Sequence, residues 1–180
     1  AGAVGIALPG VEVSLFDDDD NLLDEEDKPG EIRIKGNNVF LEYWGNKEAT
    51  EGSYKDGWFC TGDVAVKENG YYRIMGRSSV DIIKSGGYKL SALEIEGTLL
   101  THDDIAECAV IGSPDEMWGE AVTAFIGLKP EKTMVYEDLK AWCDGKMSPY
   151  KIPKQIIIID ALPRNAMGKV TKPALKEMLP

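Results

Sequence analysis

Apolar and polar residues alternate along residues 11–16 (VEVSLF), putting Val11, Val13 and Leu15 on one side, and again along residues 31–35, with Ile32 and Ile34 on another. Successive side chains of a strand point to opposite faces, so a period of two predicts two half-buried strands. Pro9-Gly10 and Pro29-Gly30 mark a turn before each, and residues 71–75 repeat the pattern after Glu68-Asn69-Gly70. Beyond residue 80 the pattern changes. Ser91-Ala92-Leu93-Glu94 is a capping box, in which the serine oxygen accepts the backbone N–H of Glu94, and it predicts a helix with Ala92, Ile95 and Leu99 at helical spacing. Residues 105–111 and 121–128 predict strands, and 136–147 a second helix with Leu139, Trp142 and Cys143 inward. Residues 155–159, almost uniformly β-branched, predict a strand covered on both faces, and Thr171 with Pro173 predicts the N-cap and N1 of a last helix. The expected fold class is α+β: an antiparallel β-rich unit over residues 1–79, then a small α/β unit over 80–180, with the junction near residues 77–81.

Length and composition narrow the function classes. A chain of 180 residues with 43% hydrophobic and 28% charged side chains can bury a core and is far from a disordered composition. The net charge of −11 opposes attraction to nucleic-acid phosphates or anionic lipid, so no nucleic-acid partner is expected. Part of that charge lies in residues 17–20 and 24–27, whose self-repulsion fits a solvated loop; the run lacks the glycine and terminal glutamate of a dedicated calcium loop. Cys60, Cys108 and Cys143 are odd in number and form no CxxC pair, which argues against disulfides and zinc and for a reducing, intracellular compartment, cytoplasmic or the matrix of an organelle such as the mitochondrion. No apolar stretch has the length of a transmembrane segment. The strand-like start without methionine predicts that further sequence precedes Ala1.

Four stretches are poorly explained by packing. In Thr61-Gly62-Asp63 a flexible glycine precedes a carboxylate that can accept from a pair of hydroxyls, although the tripeptide by itself is also an ordinary turn. Residues 76–89 (GRSSVDIIKSGGYK) bring Arg77, Lys84 and Lys89 together around the paired Gly86 and Gly87, a composition suited to an anion or to a basic hairpin between domains. Residues 163–172 (PRNAMGKVTK) place Lys169 behind a glycine, on a turn able to project an ammonium into a cleft; the stretch is not a GxxxxGK[ST] phosphate loop. The aromatic stretch 41–50 reads as core or helix-docking residues. His102, the sole histidine, lies at the end of the first predicted helix with no nucleophile elbow anywhere in the chain, so hydrolase chemistry is not expected.

The order TGD, GRSSVDIIKSGGYKLSALEIE, PRNAMGKVTK, with YWGNKEAT upstream, resembles the adenylate-forming superfamily of acyl-CoA synthetases, luciferases and peptide-synthetase adenylation domains, almost from end to end. Within it, the second and third motifs look most like malonyl-CoA synthetases and near relatives. The resemblance implies an acid–thiol ligase that makes an acyl-adenylate from ATP and then a CoA thioester, with malonate or another short or medium acyl acid as substrate. It implies that Asp63 binds the ribose hydroxyls of the nucleotide, that Arg77 contacts the ribose or phosphate, and that Lys169 neutralises charge as the carboxylate attacks the α-phosphate. It also implies that residues 1–79 end a larger AMP-binding domain, that 80–180 form a mobile lid, and that the lid swings so that Lys84, Gly86, Gly87 and Lys89 face the site during thioester formation.

The hinge departs from the superfamily pattern: three residues, Ser78, Ser79 and Val80, separate Arg77 from the acidic Asp81, where two are common. Magnesium is expected with ATP, but its ligands, the triphosphate loop and the acyl pocket are expected in an N-terminal domain outside these residues, so the chain by itself is expected to be inactive. Two other readings stay open, a binding module without turnover and an adenylation domain that loads a carrier-protein thiol.

Overall fold

The computed structural model describes residues 3–179. The chain divides into two compact units, one ending at Ser79 and one beginning at Val80.

In the first unit, strands β1 (Ala3–Gly5), β2 (Val11–Phe16), β3 (Leu22–Leu23), β4 (Gly30–Gly36), β5 (Tyr54–Lys55), β6 (Trp58–Glu68) and β7 (Tyr71–Arg77) form one sheet in the order β1-β7-β6-β4-β2-β3, with β5 on β6. Every pair is antiparallel. The two alternating runs meet: Val13 lies opposite Ile34 and Leu15 opposite Ile32. With Ala65, Leu23 and Tyr72 they form the core of this unit. The acidic connection after β2 is used internally. Asp17 Oδ1 accepts the N–H groups of Asp19 and Asn21, and Asp20 pairs with Lys55 and with the buried Arg33, whose guanidinium lies 4.5 Å from the Phe16 ring centroid. Arg33 and then Lys55 hold the Asp20 carboxyl below its ordinary value. Helix α1 (Lys47–Gly52), capped by Asn46 on the Ala49 N–H, has no counterpart in the sequence reading. The aromatic stretch splits there: Phe40 and Tyr43 join Tyr54 and Phe59 in an edge-to-face cluster, while Leu41 and Trp44 stay exposed.

The second unit holds β8 (Ile82–Ser85), β9 (Tyr88–Ser91), α2 (Ala92–Leu99), β10 (Ile105–Asp115), β11 (Gly119–Leu128), α3 (Tyr136–Cys143), β12 (Gln155–Ile158) and α4 (Lys172–Glu177). The capping box forms as predicted, with the Glu94 N–H donating to Ser91 Oγ at 3.1 Å. The sheet runs β10-β11-β8-β9, and β12 joins β11 in parallel. Both long strands outrun their apolar runs, because each backbone keeps its partner as far as Asp115 opposite Gly119. Helix α3 stops at Cys143, short of the expected 147, and Gly145 takes positive φ just beyond. The β-branched strand β12 is an edge, paired only with β11 among the described residues; as expected both its faces are covered, though only partly, with Ile156 packed on one core and Ile157 and Ile159 on the other, while Ile158 stays exposed. Thr171 is the N-cap of α4 as expected, but Lys172 holds the first helical position and Pro173 the second.

The alternation along β10 and β11 supplies two cores. Cys108, Val110, Val122, Ala124 and Ile126 pack with Ile95 and Leu99 of α2 and Leu139 of α3, while Ala109, Ile111 and Phe125 pack on the other face with Leu162 and Leu175. Each such fully buried aliphatic or aromatic side chain stabilises the unit by about 1.5–3 kcal/mol. Burial pushes the Cys108 thiol up to about 12, so it acts as a core residue. His102 is structural: its Nδ1 accepts the Asp104 N–H and its ring packs on Trp142. No helix among the described residues is long and apolar enough to cross a membrane.

Candidate functional site

In the first unit the structure brings Asp63 and Arg77 together. They face each other in the β6–β7 register, and Arg77 Nε lies 3.0 Å from Asp63 Oδ1. The Thr61-Gly62-Asp63 tripeptide is not a turn but a bulge inside β6, where residues 61–63 stand opposite the single residue 32 of β4 and Gly62 takes φ +73°, and it is braced on three sides. Thr61 Oγ1 donates to the Ile32 carbonyl and accepts the Asp63 N–H, the Gly62 N–H donates to Glu31 Oε1, and Arg77 Nη1 donates to the Thr61 carbonyl at 2.7 Å. A half-buried carboxylate and an exposed guanidinium, fixed by a sheet yet reached by solvent, can take up a vicinal diol and an anion together. Glu31 has no motif signal; its part in holding this segment follows only from the pairing of β4 with β6.

In the second unit Lys84 and Lys89 are direct register partners on the β8–β9 hairpin, so both ammonium groups leave from one face of the ribbon. The hairpin turn is Gly86-Gly87, with φ of +57° and +83°, the pair of positive angles that a two-residue turn of this hand requires. The close approach that Gly86 permits is to the protein itself. Its N–H donates to the Trp118 carbonyl at 2.9 Å, and a Cβ there would stand 2.7 Å from the Trp118 ring. A Cβ added at Gly87 would meet nothing within 4 Å. Trp118 carried no sequence signal, being one aromatic in a loop.

Lys169 sits on a second hairpin, closed by an Arg164–Val170 bridge. Asn165 Oδ1 accepts the N–H groups of Met167 and Lys169, the Asn165 N–H donates to the Lys169 carbonyl, and Gly168 takes φ +78°. Arg164 ties this hairpin to the sheet: Nη1 donates to the Gly168 carbonyl and Nη2 pairs with Glu107. The Leu162 N–H, then Arg164, hold the Glu107 carboxyl below its ordinary value.

The two lysine-bearing hairpins therefore attach at different places on one ladder. The Lys169 hairpin is held by Glu107, opposite Gly127, and the Lys84 hairpin by Glu120, opposite Pro114, through its hydrogen bond from the Lys84 N–H. Residues 107 and 114 are seven steps apart along β10, roughly 24 Å at the rise of an antiparallel strand. Glu107 shares the face of Ala109 and Ile111, Glu120 the face of Val122 and Ala124. One hairpin is thus anchored at one end and face of the ladder, the other at the opposite end and opposite face.

Lys172, just past the Lys169 hairpin, is buried and pairs at 2.8 Å with both Asp81 and Glu96. Asp81, the acidic residue of the hinge motif, is thereby fixed at the foot of β8. Among the described residues no group of three or more His, Cys, Asp or Glu side chains could hold a metal ion.

Residues 94–169 match the family model of the AMP-binding enzyme C-terminal domain. The mitochondrial malonate–CoA ligase of Mus musculus is 43% identical over 99% of this chain and 34% of its own length, and the malonate–CoA ligase of Arabidopsis thaliana is 48% identical over 99% of this chain and 31% of its own. Among solved structures, ATP-bound MatB from Rhodopseudomonas palustris superimposes with a TM-score of 0.83 and 38% identity, covering 98% of this chain and 35% of that one. The chain thus spans about a third of the length of the curated relatives it matches. With its ordered motifs, its two sheets and these relatives, the chain belongs to the adenylate-forming acyl-CoA synthetase superfamily, whose C-terminal domain it carries.

Proposed function

We propose that these residues supply the nucleotide-binding strand bulge and the two-sided lid of an AMP-forming acid–CoA ligase, with malonate or another short or medium acyl acid as substrate. The observation that carries this reading is the attachment of two lysine hairpins to opposite ends and faces of one β-ladder. In the first half-reaction a carboxylate oxygen of the acid attacks the α-phosphate of ATP and pyrophosphate leaves. Asp63 accepts from the ribose hydroxyls, Arg77 contacts the ribose or phosphate, and the Lys169 ammonium offsets the charge that builds on the phosphoryl oxygens. In the second, the CoA thiolate attacks the acyl carbonyl and AMP leaves. Lys84 and Lys89 face the anionic leaving group, and the Gly86-Gly87 turn lies between them. A rigid ladder cannot offer both hairpins to one site at once, so the unit turns between steps. The ATP triphosphate and the acyl group are held by a further portion of the ligase beyond these residues, and the reducing state of the three thiols suits an intracellular compartment.

The test is acid-dependent ATP–pyrophosphate exchange in the full-length ligase. Lys169→Ala lowers exchange by about a hundredfold to a thousandfold, the usual effect of removing one transition-state charge contact, and spares thioester formation from supplied acyl-adenylate. Unchanged exchange would refute the role given to Lys169.

A further inference from the structure

The two attachments share a design. Each depends on one glutamate lying over a glycine of the neighbouring strand. At the Lys169 end, Glu107 crosses Gly127, where an added Cβ would stand 2.8 Å from Glu107 Cγ. Its Oε1 accepts the Leu162 N–H at 2.9 Å, its Oε2 pairs with Arg164, and Arg164 passes the restraint on to the carbonyl of Gly168, next to Lys169. At the Lys84 end, Glu120 crosses Gly112, where an added Cβ would lie 2.6 Å from Glu120 Cδ and 2.8 Å from both carboxylate oxygens. Its Oε2 accepts the Lys84 N–H at 2.7 Å. Strand β8 meets β11 at one register pair, Ser85 with Gly119, so a side-chain carboxylate, and not a strand carbonyl, receives the Lys84 N–H.

We infer that Glu107 and Glu120 are the positioning residues of the two half-reactions: Glu107 sets the Lys169 hairpin for adenylate formation, and Glu120 sets the Lys84 hairpin for thioester formation. The inference rests on the function proposed above and adds a division of labour between two carboxylates. Neither needs to touch a substrate. Each fixes the backbone from which a lysine reaches, and a small displacement of a reacting or charge-bearing group costs rate steeply. The glycines belong to the device, since any side chain at residue 112 or 127 would push the carboxylate from its place.

The experiment measures both half-reactions on the same preparation of the full-length ligase: ATP–pyrophosphate exchange, and CoA thioester formation from supplied acyl-adenylate. Their ratio does not depend on the fraction of protein that is folded. Glu107→Ala lowers exchange about tenfold relative to thioester formation, and Glu120→Ala lowers thioester formation about tenfold relative to exchange, the size expected for losing a charge-assisted hydrogen bond. Glu120 borders an open groove of about 650 Å³ that also includes Gly112, Ser113 and Gln155, so water can reach the space its side chain leaves. Gly112→Ala, which leaves Glu120 intact but displaces it, reproduces the selective loss, and Glu120→Gln, whose amide oxygen still accepts the Lys84 N–H, restores part of it. If all these variants lower both half-reactions equally, or change neither, the division of labour is refuted. Lys169→Ala in the same assays separates the two levels. Intact exchange in that variant would overturn the proposed function itself; abolished exchange with an unchanged ratio in Glu107→Ala would overturn the positioning inference alone.

Discussion

The two lysine hairpins solve one problem, holding an ammonium on a tight turn, by different means. The Lys84 hairpin is a strand ribbon: four register pairs join β8 to β9, its turn is two positive-φ glycines, and it rests against Trp118. The Lys169 hairpin has one bridge and a few backbone hydrogen bonds, from Asn165 to the Lys169 carbonyl, Gly168 to the Asn165 carbonyl and Thr171 to the Pro163 carbonyl, and side chains brace it further: Asn165 within the turn, Arg164 and Glu107 beneath it. A ribbon fixed by four register pairs is insensitive to most single substitutions, whereas a turn that leans on side chains is weakened when one of them is lost. Both hairpins are tied to the same ladder, so in the proposed mechanism they move together, with the whole unit.

The sharpest way to break this contrast is at the group both hairpins share. Lys172 joins the exit of the Lys169 hairpin to Asp81 at the foot of β8 and to Glu96 of α2. Lys172→Ala removes a buried cation from between two largely buried carboxylates and destabilises the second unit by about 3–5 kcal/mol, read by denaturant unfolding. A loss below about 1 kcal/mol would mean that water already screens the triad.

A substitution at Gly86 tests the ribbon alone. Gly86→Ala places a Cβ at φ +57° and against the Trp118 ring, which costs about 1–2 kcal/mol and lowers thioester formation more than exchange. Equal effects on both half-reactions would show that the two hairpins are not independent.

The smallest effect is in pH. The Glu107 carboxyl titrates below the ordinary glutamate value of 4.5, so the stability it contributes is complete above that pH and is lost as pH falls through its lower folded value. The difference in unfolding midpoint between the wild type and Glu107→Gln is therefore constant near neutrality and closes in acid below 4.5. A difference that instead vanished on raising the pH would have the wrong sign for a stabilised carboxylate.

What the sequence revealed follows the same division. Features set by neighbouring residues were legible: the alternation of Val13 and Leu15 with Ile32 and Ile34, the Ser91 cap, and the glycine turns before Lys84 and Lys169. Features set by register were not. The apolar run of β10 stops at Ile111, yet the strand continues to Asp115 because β11 keeps pairing with it. The run 155–158 looks like a central strand and is an edge, since nothing local says how many neighbours a strand has. Glu107 and Glu120 are isolated acidic residues in the sequence. They gain meaning only once Gly127 and Gly112 are found beneath them. Helix α1 went unread because six residues with an asparagine cap carry no apolar stripe.

The most direct test of the account is a structure of the full-length ligase with a non-hydrolysable acyl-adenylate, determined without and with CoA. The account predicts that the Lys169 ammonium lies within ion-pair distance of the α-phosphate, about 4 Å, in the first, and that the Lys84–Lys89 face of the other hairpin replaces it in the second. Lys169 in bulk solvent in both structures, with the adenylate in place beside Asp63, would contradict it.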